Sequence, residues 1–355
     1  MTVEELAPPA QSGRLFYQTQ VRRRAILLGV LAFSLLLSIC IDVSLGPARY
    51  ALSDVFAAIF SPGSSDEQIS VVIWKIRMPI AIMAVVVGAA LAVAGAQMQT
   101  ILNNPLASPF TLGISAAASF GAALALAFGL TIIPAATDYV VPINAFVVAM
   151  LTAGLIHILS MKRGVTVQTI VLLGIALVFS FNALLSLIQF FASSEALSAV
   201  VFWTMGSLTK ATWPKVFVTL AILLLVLPLF ARRAWALTAM RLGDDKAASF
   251  GVNVGRLRLE TLILVSLLSA IPVAFVGTIG FVGLVGPHIA RMLIGEDQRF
   301  FLPASALSGA LILSASSIAS KSLMAGAILP IGIVTSLVGI PFFVMLIFSN
   351  SRQSW

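Results

Sequence analysis

The sequence predicts an all-α, polytopic membrane protein with about ten transmembrane helices and both termini on the cytoplasmic side. Three features carry that reading. Hydrophobic residues fill 60% of the 355 positions and charged residues only 10%, where a soluble domain is about a quarter charged. The few charges fall at intervals and leave apolar gaps of membrane-spanning length. Lys and Arg also gather in alternate connections. A bilayer core needs about 20 apolar residues per helix, which leaves room here for about ten spans and little else. A soluble enzyme, a disulfide scaffold and a nucleic-acid-binding protein are thereby excluded. The net charge of +8 reads as topology, and the lipid bilayer is the first partner.

The chain divides into an N-terminal cytoplasmic tail, 1–24, and one transmembrane domain, 25–350. The tail ends in Arg22, Arg23 and Arg24 before the apolar run 25–41, which reads as an uncleaved first span because no small-x-small cleavage site follows. Cys40 is the only cysteine; it allows no internal disulfide and no multi-thiolate metal site, and it reads as a buried apolar side chain. Residues 78–137 carry no formal charge and are too long for one helix, so the turn signal Asn103-Asn104-Pro105 divides them. The spacing predicts spans at 25–45, 78–101, 107–130, 139–161, 167–192, 214–231, 258–277, 279–295, 303–320 and 330–348. The eighth is short and contains Pro287.

An even number of spans puts both termini on one side. With the N-terminus inside, all of the 21 Lys and Arg residues are inner except Arg49, Lys75, Arg77, Lys210, Lys215 and Lys321, as the positive-inside rule requires. Gly113, Ala117, Gly121, Ala125 and Gly129 form a ridge of small residues on the third span, and Gly88, Ala92 and Ala96 a second, marking close helix packing. Gly277, Gly280, Gly283 and Gly286 read as packing or turn chemistry, since no strand precedes them. Asn182, Ser186 and Gln189 make a polar stripe on the fifth span, suited to hydrogen bonds between helices or to the wall of a solute path. Asp42, Asp138 and Glu195 fall near the outer boundary, leaving no obvious acid inside the membrane for ion coupling. His157 and His288 read as packed, hydrogen-bonded side chains.

Residues 232–258 form the one long inner connection. Asp244 and Asp245 suit the start of a short helix after Gly243, and Gly251 its stop. Leu242, Ala247, Ala248 and Phe250 give that helix apolar contacts.

This loop resembles the ATPase-docking loop of the iron-chelate and cobalamin uptake permeases, the membrane subunits of type II ABC importers. Other stretches match the same family in order: Ile76-Arg77-Met78-Pro79, Gly95-Ala96-Gln97-Met98-Gln99, Asn104-Pro105-Leu106-Ala107-Ser108-Pro109, Leu173-Gly174-Ile175-Ala176, Trp203-Thr204-Met205-Gly206-Ser207-Leu208, the run 280–291 and Leu329-Pro330-Ile331-Gly332. The resemblance covers the chain from about residue 70 to the C-terminus.

The resemblance implies a permease subunit importing a chelated-metal solute, a ferric siderophore foremost, across the prokaryotic inner membrane. It implies no catalysis and no cofactor or metal bound by this chain, with ATP and Mg held by cytoplasmic ABC ATPase subunits. The further partners it implies are an extracytoplasmic solute-binding protein and a second permease copy or paralogue. Leu242, Gly243, Asp244, Asp245, Ala247 and Gly251 are then the ATPase-docking residues. Lys75, Arg77 and Lys321 are the binding-protein docking residues, with Ile80 standing where the family has a second Arg. Asn104, Leu106, Val167 and Gln168 fall at the inner closure, and Asn182, Ser186 and Gln189 along the path. A stand-alone, ion-coupled secondary transporter is the main alternative, and a non-transporting membrane scaffold a third reading.

Overall fold

The computed structural model describes residues 10–48, 50–61, 66–134, 137–161, 166–324 and 326–350. Arg49, Lys162, Arg163 and Arg352, all used in the charge count, lie outside the described residues, as do the first nine residues of the tail. The regular structure of the described residues is helical throughout, and they contain no strand.

In chain order the helices are α1 (Ala10–Ser44), α2 (Leu52–Phe60), α3 (Glu67–Val72), a π-helical turn (Ile73–Arg77), α4 (Met78–Ile101), α5 (Ile114–Phe128), α6 (Thr137–Ser160), α7 (Val167–Phe191) and α8 (Ser194–Thr204). There follow α9 (Trp213–Arg232), α10 (Ala234–Met240), α11 (Asp244–Ser249), α12 (Val254–Val276), α13 (Val282–Ile294), α14 (Gln298–Ser322) and α15 (Ile331–Asn350). Each predicted span has its helix: α1, α4, α5, α6, α7, α9, α12, α13, α14 and α15. Among the described residues seven helices are long and apolar enough to cross a bilayer, and shorter apolar helices stand at the third, eighth and tenth spans.

Several expectations are corrected. The third span begins at Ile114, not 107, because Pro105 and Pro109 lack N–H donors and Gly113 takes a left-handed φ of 81°. α13 has 13 residues, about 20 Å of helix, short of the roughly 30 Å hydrocarbon core. α1 covers the predicted first span and extends beyond it, so residues 10–24 of the tail are also helix; the bounds of the tail are not affected. Cys40 is exposed on that helix rather than buried.

α4 is the axis of the bundle and packs on α14, α12, α13 and α9. Glycine sets these distances. A Cβ on Gly95 would lie 1.6 Å from the Gly283 carbonyl oxygen of α13, and one on Gly88 2.4 Å from the Gly309 carbonyl oxygen of α14. The small-residue ridges therefore let backbones touch. α7 stands at the other extreme, seated mainly against α5 with most of its surface uncovered.

Candidate functional site

At the end of the bundle that carries the 232–258 connection, α10 and α11 fold back against the core. Leu237, Met240, Ala247, Val252 and Leu257 join one apolar cluster with Met98, Ile101, Leu102, Ala107 and Leu112. Ala247 is fully buried, whereas Leu242 is 54% exposed and Asp244, Asp245 and Gly251 are exposed. The predicted docking residues thus divide into a buried seat, Ala247, and a presented face. Gly243 and Gly251 bracket α11 with φ of 97° and 81°, a backbone state suited to glycine. Asn253 caps α12 by accepting the Arg256 N–H at 3.0 Å. Sequence reasoning missed Trp235, which is exposed and meets Phe250 edge-on with ring centroids 6.5 Å apart. Both line a cavity of about 920 Å³ with Arg241, Leu242, Glu296 and Asp297.

Residues 102–113 leave α4 without helix. Asn104 Oδ1 accepts the Leu106 N–H at 2.9 Å, an Asx turn that projects Leu106, 46% exposed. Gly113 packs against Leu177 and Val178 of α7, and the Thr111 carbonyl lies against Gly174. The segment therefore climbs alongside α7 to a level some ten residues, about 15 Å, from that helix's first turn. At that first turn Val167 is half-buried against the cluster holding Leu102 and Ala107, and Gln168 is exposed. Thr166 closes a capping box with Thr169. Further along α7, Asn182 and Ser186 are exposed and Gln189 is half-buried. The Ser186 hydroxyl donates to the Asn182 carbonyl at 3.0 Å, so that hydroxyl is bonded within its own helix.

A second cavity, of about 610 Å³, opens where helices break. Its walls carry the hydroxyls of Ser108, Thr111, Thr204, Thr278 and Ser336 among Phe110, Met205, Phe281 and Leu337. Backbone bonds tie the broken ends together: Ser207 N–H to Val276 O at 2.7 Å, Ile331 N–H to Gly206 O at 3.1 Å and Gly332 N–H to Met205 O at 3.0 Å. Irregular backbone at membrane depth is tolerated where it is paired in this way or lines a cavity. The sequence pointed to the breaks through Gly277 and Gly280, but not to the cavity.

The predicted outer charges point different ways. Lys75 is exposed on the π-helical turn. Arg77 is 4% exposed and donates to the carbonyls of Val43 at 3.1 Å, Ser44 at 2.9 Å and Ala48, with its guanidinium over the Tyr50 ring. Lys321 is buried and paired with Asp42 at 2.9 Å. Asp42 is also bonded by the Ser317 hydroxyl and is 0% exposed. The reading of Asp42 as a residue near the outer boundary did not foresee this burial. Asp42 is buried, yet neutralised by a partner. Two of the three docking candidates hold the chain together, and only Lys75 offers a free charge.

The comparisons agree with this architecture. The profile of the FecCD transport family matches residues 34–349. A hemin transport system permease protein of Yersinia pestis is 35% identical over 91% of this chain and 97% of its own length. A vitamin B12 import system permease protein of Vibrio vulnificus is 36% identical over 96% of this chain and 99% of its own. The solved structure of a metal-chelate type ABC transporter in an inward-facing conformation superposes with a TM-score of 0.80 at 31% identity, covering 92% of this chain and 99% of that one.

Proposed function

The chain belongs to the FecCD transport family and is a multi-pass permease subunit of a type II ABC importer, and from that premise we propose that it carries a chelated-metal solute, a ferric siderophore foremost. ATP is hydrolysed on separate cytoplasmic subunits, so this chain contributes the path and the coupling surface. The observation that carries the reading is α11, a short helix seated on the bundle core by Ala247 while Leu242, Asp244 and Asp245 face outwards. A surface of that kind lets a partner's closure bias a two-state bundle. The ATPase engages Leu242, Gly243, Asp244, Asp245 and Gly251, with Ala247 as their buried support. Asn104, Leu106, Val167 and Gln168 form the inner gate, and Asn182, Ser186 and Gln189 line the path between two copies.

On the outer side Lys75 meets acidic groups of a solute-binding protein. Arg77 and Lys321 serve that contact by fixing the loop after α1 and the end of α14. Both termini lie in the cytoplasm, in keeping with the Lys and Arg bias. Ferric siderophores suit a path without metal ligands, because the metal arrives already chelated; the relatives named for hemin and vitamin B12 also handle chelated metals.

Co-expression and reconstitution test the reading. The permease should purify with an ATPase subunit and support ATP-dependent uptake of a ferric siderophore into proteoliposomes in the presence of its binding protein. Preference for hemin or cobalamin would keep the permease and change the solute. Uptake by this chain alone, driven by an ion gradient, would replace the reading with the secondary-transporter one.

A further inference from the structure

We propose that Arg241 and Arg258 are positioning residues that couple the docking helix α11 to the gate segment 102–113, by holding α11 on two carbonyls of the last turn of α4. The coupling role rests on the permease reading above; the linkage itself is geometric.

Arg258, in the first turns of α12, has its side chain 15% exposed. One N–H of its guanidinium reaches the Ile101 carbonyl at 3.1 Å, and another reaches both carboxylate oxygens of Asp244 at 2.8 Å. Arg241, directly ahead of α11, donates to the Gln99 carbonyl at 3.4 Å and to Glu296. The Gln99 carbonyl also accepts the Asn104 N–H at 3.1 Å. A single carbonyl oxygen therefore joins the docking loop to the turn that projects Leu106.

Helix C-termini leave carbonyls without intrahelical partners, and cationic donors there meet the negative end of the helix dipole. Both arginines exploit those acceptors, and a planar fork lets each bind a carbonyl and a carboxylate together. Around them Arg291 bonds Gln99 Oε1 at 2.8 Å and lies 3.0 Å from Glu296, so the end of α4 is gripped from α12, α13 and the docking loop. Asn103, immediately beyond, holds φ of 41°, a left-handed turn conformation that asparagine tolerates better than most non-glycine residues. A shift of α11 cannot leave the 102–106 turn in place without breaking one of these bonds.

The test compares wild type with Arg241→Gln, Arg258→Gln and Arg258→Lys in lipid nanodiscs by hydrogen exchange. Both Gln variants should raise exchange of the 103–107 amides about tenfold while amides of α6 keep their protection; Arg258→Lys, keeping the charge but not the fork, should fall between. Unchanged exchange at 103–107 in both Gln variants, or exchange raised across the whole chain, overturns the linkage. In the assembled transporter the Gln variants should hydrolyse ATP near the wild-type rate while moving about tenfold less solute per ATP; equal solute per ATP overturns the coupling. Absence of ATP-driven uptake in the wild type counts against the permease reading, and the exchange comparison still decides the linkage.

Discussion

Asp42 and Lys321 stand 279 positions apart and meet at 2.9 Å with neither exposed beyond 4% at its side chain. A buried pair of this kind adds little net stability, but removing one partner strands a charge and costs about 3–5 kcal/mol. Lys321→Met should therefore lower the thermal stability of the purified protein strongly, whereas the double change Asp42→Leu with Lys321→Met should recover most of the loss. Equal destabilisation in both would place the cost in packing instead. A second carboxylate gives a pH dependence of known sign. Asp297 caps α14 by accepting the Arg299 N–H at 3.1 Å and pairs with Arg24 at 3.4 Å. The hydrogen bond from the Arg299 side chain, helped by its N–H and by both arginine charges, holds the Asp297 carboxyl below its ordinary value against the opposing effect of burial. A depressed carboxylate contributes stability that is complete above its unfolded pKa and is lost as pH falls through the folded one. Asp297→Ala should cost about 1 kcal/mol near neutral pH, and that difference from wild type should vanish in melts below the usual carboxylate range.

At the scale of the element, hydropathy and charge spacing place the ten apolar segments because the bilayer imposes one dominant requirement on each. They place the interruptions less well. The third span begins late since Pro105, Pro109 and Gly113 act together over a stretch whose composition is as apolar as a helix. Burial of Arg77 and Lys321 was also illegible: a cation at the end of a span reads as an interfacial anchor until the carbonyls of 43–48 and the carboxylate of Asp42 are seen to fold over it. Glycine ridges were legible as close contact but not as to partner, which tertiary structure alone supplies. That partner makes a sharp prediction. With a Cβ at position 95 only 1.6 Å from the Gly283 oxygen, Gly95→Ala should force α4 and α13 apart and cost 3 kcal/mol or so, at the upper end of overpacking. Gly154→Ala in α6, where a Cβ meets nothing within 4 Å, should instead be neutral or stabilising by about 0.5–1 kcal/mol. Melting both variants in the same detergent decides the matter.

For the whole molecule, the distribution of cover bears on where a second copy would sit. α4 is enclosed on every side, whereas α7 presents Leu172, Phe179, Leu187 and Phe190, each more than half exposed, together with the polar Asn182 and Ser186. A lipid-facing helix has no use for an exposed amide, because hydrocarbon offers it no partner. A wall shared with an aqueous path, or with another helix, does. The arrangement also explains why the site was only partly readable: the stripe was visible as spacing on one helix, while the direction it faces depends on which neighbours leave it bare. If α7 of one copy faces α7 of the next, Ser186→Cys in a Cys40→Ser background should cross-link to a dimer under mild oxidation. Phe33→Cys on α1, 70% exposed but on a purely apolar surface, should remain monomeric under the same treatment. Reduction of the Ser186→Cys dimer should restore transport that the cross-link blocks. Efficient linking at position 33 with none at 186 would assign the open face of α7 to lipid and move the solute path to the hydroxyl-lined cavity around Thr111 and Thr278, within a single chain.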